Sequence, residues 1–320
     1  MTKIGLISNL HSQRNRRDMP AIRDALARHP AVLHDEIDRI EDLVPGLRRF
    51  ARRGVDHVIV NGGDGTVQAT LTELCNGTAF EHFPALSILP GGMTNLIAQD
   101  VGLKGHRGRS LSRLIEAATA GTGLVRLTRP VLSLTLAAGR PPTHGMFLGT
   151  AAFHGAVLFS RRKVHPLGLV RSAATGLALG LILLKTLIGR PGGGGLIRGE
   201  RIAITLDGRP AEAARDYFLV LVTTLDRLTL GLMPFWGDGD GHCRYTSIRF
   251  PPRRFSRALL PILAGRPRPW MAASGYVSGV AEEIALELTC PIVFDGQIFT
   301  PEPDFPVILR SDHKVDFLRC

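Results

Sequence analysis

The segment VNGGDGTVQATLTEL, Val60 to Leu74, sets three glycines around one acid, Asp64, where an apolar run gives way to a helical pattern. Upstream, DHVIV reads as a buried strand; downstream, Val67, Leu71 and Leu74 fall on one helical face. Gly62, Gly63 and Gly65, with Thr66 behind them, therefore stand at the carboxyl end of a strand and before a helix N-terminus. In an open α/β sheet that is where ligands bind. Glycine there permits positive φ and lets backbone amides approach phosphate oxygens, which the helix dipole also favours. An acid within such a cradle repels phosphate, so Asp64 calls for a metal, a hydroxyl or a sugar contact; an ordinary capping aspartate in a tight turn is the plainer alternative.

A second glycine turn follows at the same topological place. LSILPGGMTNLIAQDVGL runs from a strand through Pro90, Gly91 and Gly92 to a helix start at Thr94 or Asn95, with Gly102 ending the helix. Two such loops at neighbouring strand ends make a cleft. KIGLIS and ALSIL read as further parallel strands, and Ile22, Ala25 and Leu26, then Leu43, Leu47 and Phe50, recur at helical spacing. Pro20 suits a first helical turn, while Ser110 and Gly121 bracket another helix. This is a βαβ series, hence an α/β fold with a Rossmann-like open sheet over residues 1–125.

After about Val125 strand-like runs dominate: PVLSLTLAAG, HGMFLGTAA, RIAITLDG, YFLVLVTT, CRYTSIRF, EIALELT and PIVFDG. They predict a second, mainly antiparallel β-sandwich domain over 126–320, with helices around Leu177–Leu187 and Ser256–Leu263 and a C-terminal segment that can pack back on the first domain. RPGGGG from Arg190 reads as a flexible loop.

Lysine and arginine outnumber aspartate and glutamate 39 to 28, a net charge of +11 that suits an anionic partner such as nucleotide phosphate or anionic lipid. Aromatics make up 6% of the chain and no aromatic-interleaved basic segment appears, which argues against nucleic acid. Cys75, Cys243, Cys290 and Cys320 are scattered without paired spacing, so neither a zinc site nor a disulfide framework is indicated, and a reducing cytoplasm is the simpler setting. The most apolar stretch, SAATGLALGLILLKTLIGR, is interrupted by Lys185 and has an uninterrupted core shorter than the roughly 20 residues a membrane span needs.

GGDGT followed by LPGGMTNLIA resembles the diacylglycerol kinase catalytic family, which includes bacterial lipid kinases and sphingosine and ceramide kinases and is distantly similar to NAD kinases. Pro90, Gly92, Asn95 and Ala98 match the family's second motif, with Met93 where threonine is expected and Thr94 one step later. In SNLHSQRN, Asn9 and Ser12 of the family's first phosphate loop are kept, while Leu10 and Gln13 replace its proline and glycine. The resemblance implies a structural Mg2+ in LGLMPFWGDGDGHCRY, held by Asp240 and the carbonyls of Gly237 and His242. It also implies a carboxylate in IVFDGQIF that takes the proton of a lipid hydroxyl across an interdomain cleft. Asp295 and Gly296 match there, but Gln297 stands in place of glutamate and cannot ionise, which puts the burden on Asp295 together with Asp64.

The expected activity is ATP-dependent phosphorylation of the primary hydroxyl of a neutral long-chain lipid, diacylglycerol or ceramide. An NAD kinase and a catalytically degenerate lipid- or nucleotide-binding regulator are the alternatives. The expected setting is the cytoplasmic face of a membrane, with lipid and Mg-ATP as partners and oligomerisation left open. Leu167–Ile188, flanked by Arg161, Arg162, Lys163, Arg171, Lys185 and Arg190, is the candidate lipid-facing segment, a core helix being the alternative.

Overall fold

The computed structural model describes residues 2–92, 94–154, 199–228 and 231–320. Met93, the helix expected at Leu177–Leu187, the RPGGGG loop and the segment Leu167–Ile188 with its flanking basic residues lie outside the described residues. Two compact units emerge: unit one holds Met1–Val131, Thr143–Gly145 and His313–Cys320, and unit two holds Leu132–Pro142 and Met146–Asp312.

Unit one alternates strands and helices in the order β1 (Ile4–Asn9), α1 (Asn15–Ala27), β2 (Leu33–Ile37), α2 (Leu43–Arg52), β3 (His57–Gly62), α3 (Asp64–Asn76), β4 (Ala85–Pro90), α4 (Leu96–Val101) and α5 (Arg107–Ala120). The strands pair in parallel in the order β2, β1, β3, β4. Leu6, Val58, Ile59 and Val60 are all fully buried, as strands covered on both faces require. Helices α1 and α5 close one face over Met19, Ile22, Leu111, Leu114 and Ile115. On α2, Leu43, Leu47 and Phe50 form the buried stripe that periodicity predicts. Gly5 in β1 is required by that packing, because a Cβ there would stand 2.5 Å from the Phe50 ring.

Two helix starts differ from the expectation. Pro20 lies inside α1, which begins at Asn15; buried Asn15 donates its side-chain N–H to the carbonyls of Asn9 and Asn61 and so fixes the helix start before Pro20. Helix α5 begins at Arg107 instead of Ser110, and its end at Gly121 has the left-handed backbone, φ 70°, that favours glycine.

Strand β5 (Val125–Thr135) and the short β6 (Thr143–Gly145) follow. Unit two is mainly antiparallel, built from β7 (Phe147–Ala151), β8 (Glu200–Leu206), β9 (Arg209–Thr223), β10 (Cys243–Arg249), helices α6 (Phe255–Leu263) and α7 (Pro269–Ala273), then β11 (Tyr276–Ala281), β12 (Glu283–Glu287), β13 (Ile292–Phe294) and β14 (Gln297–Phe299). The long β9 pairs with β8 through its first half and with both β7 and β10 through its second. Strand β9 feeds two cores across a register shift in its pairing with β10: Tyr217, Val220 and Val222 join Leu148, Ile202, Leu286 and Phe294, while Phe218, with Leu219 beside it, joins Phe255, Ile262 and Tyr276 beneath α6. The last strand, β15 (Val307–Arg319), is shared by the two units, with Val307–Asp312 in unit two and His313 onward in unit one. Among the described residues no helix is long and apolar enough to cross a membrane.

Candidate functional site

The two glycine loops of unit one lie directly against each other at the carboxyl ends of β3 and β4. The Gly91 N–H donates to the Gly62 carbonyl at 2.7 Å, and the Arg14 N–H donates to the Gly91 carbonyl at 2.8 Å. Main chain meets main chain so closely that a Cβ on Gly92 would stand 2.7 Å from the Gly63 Cα, and one on Gly91 3.1 Å from the carbonyl carbon of Gly62. None of Gly62, Gly63, Gly91 and Gly92 is at positive φ. The positive-φ expectation is therefore corrected: these glycines serve the contact between loops. At Gly62 the close neighbour is Thr66, 2.5 Å from a would-be Cβ.

Side chains lace the loops together. Asn9 donates its side-chain N–H to Thr66 Oγ1 at 2.9 Å, and Ser12 Oγ accepts the Gly63 N–H at 3.2 Å. Asn95, at left-handed φ 49° before α4, closes its loop by accepting the Gly92 N–H at 2.8 Å and donating to the Gly92 carbonyl at 2.7 Å. Thr94 is half-buried beside it, and Gly65 lies in the first turn of α3. The structure thus gathers Asn9, Ser12, Gly62, Gly63, Asp64, Gly65, Thr66, Gly92, Thr94 and Asn95 at one sheet edge.

Asp64 is the first residue of α3, and its Oδ1 accepts the Ile97 N–H of α4 at 3.3 Å. One carboxylate faces two helix N-termini, where negative charge is favoured. Burial nevertheless pushes this carboxyl up from 3.8 to about 6, against the downward pull of the Leu96, Ile97 and Asn95 amides. The acid is held protein-side by the second loop and is poised to change charge near neutral pH.

Beneath the loops lies a buried polar network that sequence reading missed. Arg107 donates to Asn15 Oδ1 at 2.5 Å, to Asn61 Oδ1, and to Asp18 at 3.2 Å. Asn61 also donates to Ser8 Oγ at 3.0 Å. Asn61 directly precedes the quoted glycines, which could have flagged it; nothing local separates Arg107 from the chain's other arginines.

In unit two, Asp295 turns the β13–β14 hairpin with left-handed φ 45° and is 2% exposed. Its Oδ2 accepts the Met146 N–H at 2.9 Å and its Oδ1 the Phe147 N–H at 3.0 Å, while its own N–H donates to the Phe147 carbonyl. Gln297 is exposed on β14. Asp240 and His242 are exposed, in a loop whose glycines lie on the β11 backbone: Cβ atoms on Gly237, Gly239 and Gly241 would come within 2.6, 2.4 and 2.5 Å of Ser278, Val280 and Ala281 main-chain atoms. The alternation therefore aims glycine at the strand and leaves Asp238 and Asp240 exposed.

Residues 3–127 match the family model described as the diacylglycerol kinase catalytic domain, so the resemblance read from GGDGT and LPGGMTN holds over the unit that contains both loops. None of the curated proteins matches the chain. The fold is that of a Bacillus anthracis str. Sterne protein assigned as a diacylglycerol kinase, at 19% identity, TM-score 0.66, 98% coverage of this chain and 96% of the other. A diacylglycerol kinase structure from the same strain aligns at 18% identity and TM-score 0.61 over 98% of this chain and 96% of that one.

Proposed function

We propose that the protein is an ATP-dependent lipid kinase that phosphorylates the primary hydroxyl of a neutral long-chain lipid, diacylglycerol or ceramide. The observation that carries this reading is the pair of glycine loops pressed backbone to backbone around Asp64 at the edge of a parallel sheet. Phosphoryl transfer asks a protein mainly to position groups and offset charge. Glycine main chain, Asn9, Ser12, Thr66 and Asn95 provide a polar cradle of that kind. The lipid hydroxyl must lose a proton, and a base titrating near the working pH accepts it best. Asp64, raised to about 6, suits that task.

Asp295 is better suited to positioning, since both carboxylate oxygens already accept backbone amides and hold the start of β7. The donor set in unit two fits magnesium: Asp240 with the Gly237 and His242 carbonyls would offer hard oxygen donors. When bound, Mg2+ supplies neutralisation of phosphate charge. In this reading the apolar acceptor and the chain's positive charge favour work at the surface of an anionic cytoplasmic membrane.

The test is incubation of the purified protein with labelled Mg-ATP and, separately, diacylglycerol, ceramide, a sphingoid base and NAD, with products resolved. Label in a phospholipid product is the expected result; label in NAD alone, or in none of the four, overturns it. Nucleotide binding without transfer would favour the regulator reading, to which Gln297 and the altered first loop point.

A further inference from the structure

The geometry points to a zinc-class metal site formed by Cys75, His144 and His313, separate from the nucleotide loops. Cys75 lies in the last turn of α3, His144 in β6 and His313 in β15, all within unit one. The Cys75 Sγ and one ring nitrogen from each histidine lie within 4.8 Å of one another. Around a tetrahedral zinc, with Zn–S near 2.3 Å and Zn–N near 2.0–2.1 Å, donor atoms stand roughly 3.3–3.7 Å apart, so side-chain adjustments of about 1 Å complete the cluster.

The backbone around these ligands is already pinned. Thr72, three residues before Cys75 on α3, accepts the His144 N–H at 2.9 Å and donates to the His144 carbonyl at 3.3 Å through the same hydroxyl. His313 is anchored along β15 by fully buried Val315 and Phe317. The two imidazoles meet edge to face, 68° between planes and 5.4 Å between centroids, an arrangement that lets nitrogens converge without the rings overlapping. His144 is 1% exposed, while Cys75 and His313 are half-buried, which leaves water access for a fourth ligand.

One thiolate and two imidazoles suit zinc and disfavour magnesium or calcium, which prefer oxygen. Binding transfers the thiol proton to solvent and involves no change of oxidation state. The cation would clasp the end of α3, the helix that begins with Asp64, to β6 and β15, and so stiffen the element that carries the cradle.

The test uses the full chain with Cys320→Ser, which removes the exposed thiol. After metal is stripped with a chelator, Co2+ is titrated in and followed by absorption. The expected result is one equivalent bound, with tetrahedral d–d bands and a sulfur-to-cobalt charge-transfer band that zinc abolishes. Cys75→Ser should remove the charge-transfer band, His313→Ala should weaken affinity at least tenfold, and zinc should raise the melting temperature of the parent but not of Cys75→Ser. No charge-transfer band, or one that survives Cys75→Ser, overturns the proposal.

Discussion

Asp64→Asn separates what this side chain does for the fold from what it does for phosphoryl transfer. Asparagine keeps the shape and an oxygen for the Ile97 N–H and removes the charge. Burial raises the Asp64 carboxyl from 3.8 to about 6, so the folded state holds this proton more tightly than the unfolded chain does. Ionisation therefore costs stability as pH climbs from near 3.8, and the cost is complete once pH passes the folded value. At about 1.36 kcal/mol per pKa step the full cost is about 3 kcal/mol. Water reaching the half-buried side chain reduces that to about 1–3 kcal/mol. The asparagine variant escapes it: without nucleotide or magnesium it should be more stable than the parent by that amount at about pH 8, by about half as much at about pH 5, and by almost nothing at about pH 3. Its phosphotransfer should fall by orders of magnitude. Urea unfolding at the two higher pH values, beside a labelled-phosphate assay, reads both effects. A variant less stable than the parent at the higher pH, or one whose gain is the same at both, refutes the reasoning.

Gly92→Ala drives a Cβ to 2.7 Å from the Gly63 Cα, main chain that cannot step aside, and should raise the KM for ATP at least tenfold in steady-state kinetics. Gly63→Ala, at 3.1 Å from the Gly92 Cα, should do less. Asp295→Asn turns an amide N–H toward the Met146 or Phe147 N–H and should cost about 2–3 kcal/mol in chemical denaturation; full stability with abolished turnover would instead make Asp295 a direct proton acceptor. Arg107→Met strands Asn15, Asn61 and Asp18 without their shared donor and should lower the unfolding free energy by about 2–4 kcal/mol, read in denaturant as a lower midpoint at an unchanged slope.

The strands β1, β3 and β4 were legible because burial on both faces leaves unbroken apolar runs. Strand β2, LHDEI, was not: it sits at the sheet edge, mostly half-buried, and its charged residues leave no apolar run to mark it. Strand β15 was missed for a related reason, since exposed Arg310, Asp312 and Lys314 alternate with its buried positions. The glycines of the two loops were recognised by type, but whether a glycine answers a backbone angle or a neighbour's proximity is settled only by what folds against it. The same holds for Asp64, whose amide partners stand more than thirty positions away, and for Arg107, whose value lies in two distant asparagines. Cys75, His144 and His313 escaped a reading based on ligand spacing because three separate elements bring them together.

The division of β15 between the units also sets an order of assembly. β4 pairs with β3 on one side, and on the other it receives Phe317 opposite Leu86, with Ser87 donating to the Leu318 carbonyl at 2.5 Å. The residues that cover this edge are translated only after Met146–Asp312, so the earliest-made sheet keeps a bare, strongly apolar border throughout synthesis of the other unit. Such a border is a template for pairing with other chains. Ribosomal delay within the second unit should therefore show itself as aggregation of the first.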